Sequence, residues 1–234
     1  MSASYPAVGI FSFGRTLSER CRNKMLRPFA GTTLTDIALG KLRTFGRQAF
    51  FAGHDEPFRE KCLQHAVPFV HRSAHSASID GPITEILSFL HDLPYTHYLI
   101  VNSCLPFLRT ETIQEFLDDC VAGDLAPAFA VVRRKNHFIT PDHRPLNFPL
   151  DLKTINSKTV EPVLEFAHAL YFFDRDYFFI HGRYWDWRTV RLLEVKDPRE
   201  VIDIDTEEDF ELAEALWRGT GGSFGVGHRD RGVT

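Results

Sequence analysis

The chain has 234 residues, of which 44% are hydrophobic and 25% charged, and its formal net charge is −4 at pH 7. This composition is typical of a folded globular protein that is long enough to bury a core without disulfide bonds. The mildly acidic balance argues against a surface built to bind nucleic acid. No apolar run approaches the roughly 18 residues that suggest a membrane span, and the N-terminus lacks the features of a secretory signal, so we expect no membrane partner.

The four cysteines are spread along the sequence without a Cys-x-x-Cys pair, and the 11 histidines form no His-Glu-x-x-His pattern. This distribution argues against a disulfide framework and against a zinc site. We therefore expect reduced thiols and a cytoplasmic protein.

The first half of the chain alternates between short apolar runs and segments with helical periodicity. This alternation predicts an α/β fold with a mainly parallel sheet. Strands are predicted at residues 7–13, 48–52, 67–70, 98–102 and 127–132. Helices are predicted at residues 33–44, 56–65, 81–93 and 110–122, and a polar loop at residues 71–79.

Residues 133–165 break this alternation, because they are polar and contain four prolines. A long structureless loop is rare inside a compact domain, so we interpret the segment as an inserted arm. Such an arm is expected to pack against a second copy of the chain.

The remainder of the chain predicts a few further elements and the domain limits. We expect strands at residues 167–173 and 190–195, an irregular aromatic segment at 176–188, and a helix at 207–217 that Thr206 caps. Residues 1–218 would then form one α/β domain that carries the arm. The glycine-rich and charged residues 219–234 are expected to be a flexible tail.

The loop between the first strand and the first helix is the most basic stretch of the chain. It holds five cations, one acid and a serine hydroxyl, namely Arg15, Arg20, Arg22, Lys24 and Arg27, with Glu19 and Ser18. In an open α/β sheet, ligands bind outside the carboxyl ends of the strands. Arginine pairs with phosphate through two parallel donors, and lysine acts as a point charge. The loop is therefore predicted to bind a polyphosphate, with a solvated charged loop as the alternative.

A second chemical pattern lies just ahead of the last predicted helix, where Asp203 and Asp205 alternate with Ile202 and Ile204. In an extended segment, this alternation puts both carboxylates on one face. Magnesium takes one or two carboxylates together with waters and substrate phosphates. Beside a polyphosphate loop, the pair therefore predicts a magnesium site. In the alternative interpretation, Asp205 faces solvent or helps to cap the helix.

These motifs together resemble the sugar-acid cytidylyltransferase family, which comprises the CMP-sialic acid and CMP-Kdo synthetases. The CTP-binding loop of that family is similar to the pattern R-x-x-S-x-R-x-x-x-K, formed here by Arg15, Ser18, Arg20 and Lys24. Residues 202–210 resemble the I-D-I-D-T-x-x-D stretch of the sialic acid type. Residues 101–110 and 168–173 resemble two further segments, so the resemblance covers about residues 7–217.

The resemblance implies a three-layer Rossmann-like nucleotide-diphospho-sugar transferase fold and a homodimer formed through the inserted arm. It implies a magnesium-dependent enzyme that joins CTP to a sialic-acid-like sugar acid, giving a CMP-sugar and pyrophosphate. The implied catalytic residues are Arg15 and Lys24, which with Ser18, Arg20, Arg72 and Ser78 would bind the nucleotide. The implied magnesium ligands are Asp203 and Asp205, and the implied contact of the sugar acid is Asn102.

The sequence departs from the family pattern at several points. Phe13 and Gly14 stand where the family usually has Pro-Ala, and Asn102 stands where it has a glutamine. Cys104 and Leu105 lie near the place where the Kdo type has an additional acid at the metal site.

Two alternative functions therefore stay open. The first is a catalytically inactive member that binds nucleotide; the second is a nucleotide-sugar-dependent glycosyltransferase, although the D-x-D of such enzymes normally follows a mid-chain strand.

Overall fold

Seven strands form one mixed sheet in the computed structural model, which describes residues 8–221. The strands are β1 (Val8–Phe13), β2 (Ala49–Gly53), β3 (Phe69–His71), β4 (His97–Val101), β5 (Ala128–Arg134), β6 (Val163–Asp174) and β7 (Arg191–Glu194). They lie in the order β3-β2-β1-β4-β6-β5-β7. Within these residues, β6 alone runs antiparallel to its neighbours, so the sheet is mainly parallel as predicted.

Helices and short helical segments cover both faces of this sheet. The α-helices of the described residues are α1 (Leu34–Arg43), α2 (Glu56–His65), α3 (Ala74–Ser78), α4 (Ile83–Ile86), α5 (Thr110–Ala122), α6 (Arg175–His181) and α7 (Glu207–Gly219). Residues of α1, α2, α5 and α7 form one apolar core with the sheet, and residues of α4, the following segment and α6 form another. The resulting three-layer arrangement confirms the predicted α/β class.

Local capping chemistry decides where several helices begin. Thr33 Oγ1 accepts a hydrogen bond from the backbone N–H of Asp36 at 3.1 Å and starts α1. Thr206 and Asp209 form a reciprocal capping box at the start of α7. Helices α2 and α5 begin and end at the predicted residues. None of the helices among residues 8–221 combines the length and apolar character that a membrane crossing needs.

The single helix predicted at residues 81–93 is wrong, because this segment is divided into α4 and a 3₁₀-helix at Ser88–Asp92. The carbonyl oxygen of Ile86 accepts hydrogen bonds from Arg72 Nη2 at 3.2 Å and from Ser76 Oγ at 2.7 Å. The backbone N–H of Leu90 donates instead to Leu87 at 3.0 Å, which is the tighter 3₁₀ pattern. Contacts with the preceding segment therefore break the α-helix.

Two segments predicted to be irregular contain short helices. The polar segment 71–79 includes α3, where Ser73 Oγ accepts from the backbone N–H of Ser76 at 3.0 Å. The aromatic segment 176–188 overlaps α6, where Asp174 Oδ1 accepts from the backbone N–H of Tyr177 at 2.6 Å. Both helices are too short to show a clear helical period in the sequence, so only their capping residues could have indicated them.

Residues 135–162 form an irregular insertion between β5 and β6. Its regular structure within the described chain amounts to a 3₁₀-helix at Ser157–Thr159 and an isolated bridge between Ile139 and Pro145. The packing of this insertion against a second copy stays a prediction. Residues 222–234 of the predicted flexible tail lie outside the described residues.

Helix α7 packs directly on the loop that follows β1. Phe29 of the loop is fully buried, and its ring centroid lies 5.3 Å from that of Phe210 and 5.7 Å from that of Trp217. The guanidinium of Arg27 lies 3.7 Å from the ring centroid of Phe210 and pairs with Glu207 at 2.7 Å. These contacts hold the loop after β1 against α7.

Replacing Phe29 by alanine tests this packing. Phe29→Ala is expected to lower the free energy of unfolding by about 3–5 kcal/mol, because it leaves a cavity between the loop and α7. Leu63→Ala is the control, since Leu63 is 83% exposed on α2 and surface changes usually stay within about 0.5 kcal/mol. Urea denaturation measures both variants. A Phe29→Ala variant as stable as the control would contradict the packing.

Candidate functional site

A cleft of about 680 Å³ opens at the carboxyl ends of β1 and β4. Eight of the nine residues predicted to form a functional site line it: Arg15, Ser18, Arg20, Lys24, Arg72, Asn102, Asp203 and Asp205. The basic loop after β1 and the carboxylate pair both line the cleft, and they are in direct contact. Segments that are far apart in the sequence thus meet at the edge where open α/β sheets bind ligands.

The backbone at Gly14, where the loop leaves β1, packs closely against two aromatic rings. A Cβ atom on Gly14 would lie 3.0 Å from Phe51 Cζ and 3.2 Å from Phe58 Cε1, both of which are buried. Ser103 Oγ donates to the carbonyl oxygen of Phe13 at 3.0 Å and so ties the entry of the loop to the end of β4. Packing beneath the loop therefore explains why residue 14 is glycine where the family pattern has alanine.

Lys24 joins the basic loop to the carboxylate pair. Its Nζ donates to the carbonyl oxygen of Ile204 and lies 3.3 Å from Asp205 Oδ1, while Arg20 Nη2 lies 3.1 Å from the same oxygen. The Lys24 side chain is only 12% exposed, so this residue does not fit the alternative of a solvated charged loop. Burial acts to lower the pKa of Lys24, but Cys104 and Asp205 outweigh it, so the pKa is raised.

Asp203 is the more buried carboxylate of the pair. Its Oδ2 accepts from Asn102 Nδ2 at 3.3 Å, whereas its Oδ1 is buried and has no hydrogen-bond partner among residues 8–221. Burial and the neighbouring Asp205 raise the pKa of Asp203. A divalent cation between the two carboxylates would give the unpaired oxygen a partner. The two residues thus fit magnesium, although the described chain has no cluster of three or more His, Cys, Asp or Glu ligands.

Arg15 stands at the mouth of the cleft. Its Nη2 lies 3.2 Å from Asp80 Oδ1, and the two side chains are 38% and 79% exposed. Such an exposed pair contributes little to stability. The Arg15 guanidinium can therefore exchange this partner for an anionic ligand at small cost.

Arg72 forms part of the cleft wall instead of projecting freely into it. The residue is buried, and its guanidinium donates to Ser76 Oγ at 3.2 Å, to the Gly14 carbonyl at 3.4 Å and to the Ile86 carbonyl. Burial, with Arg15 nearby, lowers the pKa of Arg72 to about 10. Ser78 is exposed and does not line the cleft. The roles of Arg72 and Ser78 in binding a base stay predictions.

The cleft is also lined by residues to which we assigned no role from sequence: Cys104, His168, Tyr171 and Tyr184. His168 interrupts β6 with φ +48°, at a shift in the register between β5 and β6, and its Nδ1 is hydrogen-bonded to Tyr171 Oη. Burial raises the pKa of Cys104 to about 11 and that of Tyr184 to about 12. No glycine or proline marks this bulge in the sequence, so only the structure reveals it.

The profile of the MobA-like NTP transferase domain family matches residues 14–180 of the chain. This range includes the basic loop and β4, whereas β1 and the carboxylate pair lie outside it. No curated protein matches the chain significantly.

Several solved structures share the fold. CMP:2-keto-3-deoxy-manno-octonic acid synthetase complexed with CTP is 13% identical with a TM-score of 0.68, covering 91% of this chain and 99% of that one. A cytidylyltransferase from Leptospira borgpetersenii serovar Hardjo-bovis is 14% identical with a TM-score of 0.62, covering 92% and 88%. The 4-diphosphocytidyl-2C-methyl-D-erythritol synthase from Anaerococcus prevotii is 12% identical with a TM-score of 0.57, covering 90% and 98%. These likenesses confirm the predicted Rossmann-like nucleotidyltransferase fold.

Replacing Asp203 by asparagine tests the electrostatics of the carboxylate pair. Because the pKa of Asp203 is raised in the folded chain, its charged form disfavours folding, and Asp203→Asn is expected to raise the free energy of unfolding at pH 7. The gain should fade as the pH falls towards the unfolded-state pKa of about 3.9, where the native carboxyl is protonated. Urea denaturation at pH 7 and at about pH 3.9 measures the difference in the free energy of unfolding between the variant and the wild type. Asp151→Asn, at an exposed site, is the control, and a destabilised Asp203→Asn variant at pH 7 would contradict the assignment.

Proposed function

The chain belongs to the MobA-like NTP transferase family, and we propose that it transfers the CMP group of CTP to a hydroxyl of a sugar acid and releases pyrophosphate. The observation that carries the proposal is the meeting of the basic loop and the carboxylate pair in one cleft. Guanidinium and ammonium groups on one loop are suitable partners for a triphosphate. The neighbours in fold support CTP, because one is complexed with CTP and the others are named as a cytidylyltransferase and a diphosphocytidyl-methylerythritol synthase.

In the proposed reaction, the acceptor hydroxyl oxygen attacks the α-phosphorus of CTP, and the bond from that phosphorus to the pyrophosphate oxygen breaks. Negative charge spreads over the phosphate oxygens in the transition state, so catalysis consists mostly of positioning and charge stabilisation. We assign Arg15 and Lys24 to the α-phosphate and the departing pyrophosphate, and Ser18 and Arg20 to the β and γ phosphates. The raised pKa of Lys24 keeps its ammonium charged at neutral pH.

Asp203 and Asp205 are the proposed ligands of magnesium, which when bound neutralises charge on the triphosphate. The unpaired Oδ1 of Asp203 supports this assignment. The Asp205 carboxylate pairs with Lys24 and Arg20. These ion pairs hold the two loop cations beside the proposed metal ligands.

We propose a sialic-acid-like acceptor of the nonulosonic acid class. The I-D-I-D-T motif supports it, as does the presence of Cys104 and Leu105 near the place where the Kdo type has an acid. The acceptor would occupy the end of the cleft that His168, Tyr171 and Tyr184 line.

The four cysteines are all free thiols, which supports the proposed cytoplasmic location.

We also propose that the chain forms a homodimer through the insertion. The insertion exposes Leu146, Leu150 and Ile155 at 62%, 83% and 90%. Apolar side chains exposed together in one segment are typical of a surface that another chain covers.

Pyrophosphate release tests the reaction directly. We expect release that requires CTP, Mg²⁺ and a sugar acid together, and that is faster with sialic-acid-like acceptors than with Kdo. Release with another nucleoside triphosphate and none with CTP would contradict the assignment of the nucleotide. Tight binding of CTP without turnover of any acceptor would indicate the catalytically inactive family member instead.

The same assay tests the role of Lys24. Lys24→Ala is expected to lower kcat/KM by about 10²–10³-fold, as the loss of one preorganised donor at a developing charge commonly does. Lys158→Ala, at an exposed site in the insertion, is the charge-matched control. Urea denaturation of both variants separates lost activity from lost folding. Normal turnover by a folded Lys24→Ala variant would show that Lys24 does not act on the phosphates.

Analytical ultracentrifugation tests the dimer. The wild-type chain should sediment as a dimer, and the double variant Leu150→Asp with Ile155→Asp as a monomer, because the change places charges in an apolar interface. The variant should remain folded, since both side chains are exposed in the single chain. A monomeric wild type, or a variant that dimerises as before, would exclude this interface.

A further inference from the structure

Asn102 lies where three segments of the chain meet, and both N–H donors of its side-chain amide have partners within the protein. Its Nδ2 donates to the carbonyl oxygen of His168 at 2.8 Å and to Asp203 Oδ2 at 3.3 Å. Its Oδ1 accepts from the backbone N–H of Cys104 at 2.9 Å. A primary amide has two N–H donors and one carbonyl oxygen. Each of these groups therefore already has a protein partner, and an acceptor could use the Nδ2 only by displacing one of them.

The first of these partners is a strained part of the backbone. His168 has φ +48°, which is uncommon for a residue other than glycine, and it lies at the register shift between β5 and β6. The Asn102 side chain donates a hydrogen bond to the His168 carbonyl oxygen, and the backbone N–H of Asn102 donates to the Ala169 carbonyl oxygen at 2.9 Å. Strained backbone persists only where its surroundings hold it. Asn102 thus anchors the bulge to the end of β4.

The second partner is one oxygen of the buried carboxylate. Asp203 Oδ2 accepts from Asn102, whereas Oδ1 is buried without a partner in residues 8–221. A buried polar atom without a partner is destabilising unless another group supplies one. The amide therefore holds the Asp203 side chain in one orientation, with Oδ2 occupied and Oδ1 available to a cation.

We propose that Asn102 is a positioning residue, which orients Asp203 for the divalent cation of the nucleotide complex and does not bind the acceptor through its amide. This role rests on the proposed function, because the cation is the one that would accompany CTP. It differs from the contact with the sugar acid that the family resemblance implies for Asn102. Groups that orient a metal-binding carboxylate typically change metal affinity about 10–100-fold when they are removed.

The test compares two variants of Asn102 in the full-length chain. Asn102→Leu keeps the approximate size of the side chain, but it has no N–H donor and no oxygen and adds no charge. Asn102→Ala removes the whole amide and adds no charge. Asn156→Leu makes the same chemical change in the exposed insertion and is the control. Electron paramagnetic resonance of free Mn²⁺ in the presence of CTP, corrected with a protein-free titration for the Mn²⁺ that CTP itself binds, gives the cation affinity without turnover. Pyrophosphate release gives kcat and the acceptor KM.

We expect both Asn102 variants to bind Mn²⁺ about tenfold more weakly and to have a lower kcat, with the acceptor KM and the control unchanged. Circular dichroism shows which variants are folded, and one folded Asn102 variant is sufficient for the test. A raised acceptor KM with unchanged Mn²⁺ affinity would overturn the positioning role and leave the proposed reaction standing. A wild type that turns over without binding Mn²⁺ at this site would also overturn it. A wild type that neither binds Mn²⁺ with CTP nor releases pyrophosphate would overturn the proposed function itself, and this role with it.

Discussion

The packing of α7 on the loop after β1 is the interaction on which the cleft depends. Phe29 fills the space between Phe210 and Trp217, and the Glu207 carboxylate accepts from the backbone N–H of Arg22 at 2.9 Å. The carboxylate pair directly precedes α7, so the same packing that buries Phe29 also carries Asp203 and Asp205 to the basic loop. The five loop cations consequently separate by role. Arg15, Arg20 and Lys24 line the cleft. The Arg27 guanidinium pairs with Glu207 of α7, whereas Arg22 contacts Glu207 through its backbone N–H.

Two features that weaken the folded chain lie at this cleft. Asp203 is a buried carboxylate beside a second carboxylate, and one of its oxygens has no partner among residues 8–221. His168 holds a left-handed backbone conformation within a strand. A sequence that specifies one fold normally avoids such arrangements, and proteins retain them where they serve a function. The position of these two features at the carboxyl edge of β1 and β4 agrees with a ligand site there.

The sequence was sufficient to predict features that depend on local patterns. The α/β class follows from the alternation of strands and helices. Helices α2 and α5 match their predicted limits because α2 has Pro57 in its first turn and α5 is amphipathic up to Gly123. The convergence of the basic loop with the D-x-D segment could be predicted because both motifs are local and resemble one family. Contacts between distant residues could not be predicted. Arg72 and Ser76 donate hydrogen bonds to the Ile86 carbonyl oxygen and so interrupt the helix predicted at residues 81–93. Arg72 itself is buried in the wall of the cleft.

The central claim is that one triphosphate binds between the basic loop and the carboxylate pair. The most direct measurement is a crystal structure of the full chain with Mg²⁺ and a non-hydrolysable CTP analogue. It should place phosphate oxygens within hydrogen-bond distance of Arg15 and Lys24, with the metal ion on Asp203 and Asp205 in the same cleft. A triphosphate bound away from the loop, or bound in the cleft with its metal ion held by other residues, would contradict the claim.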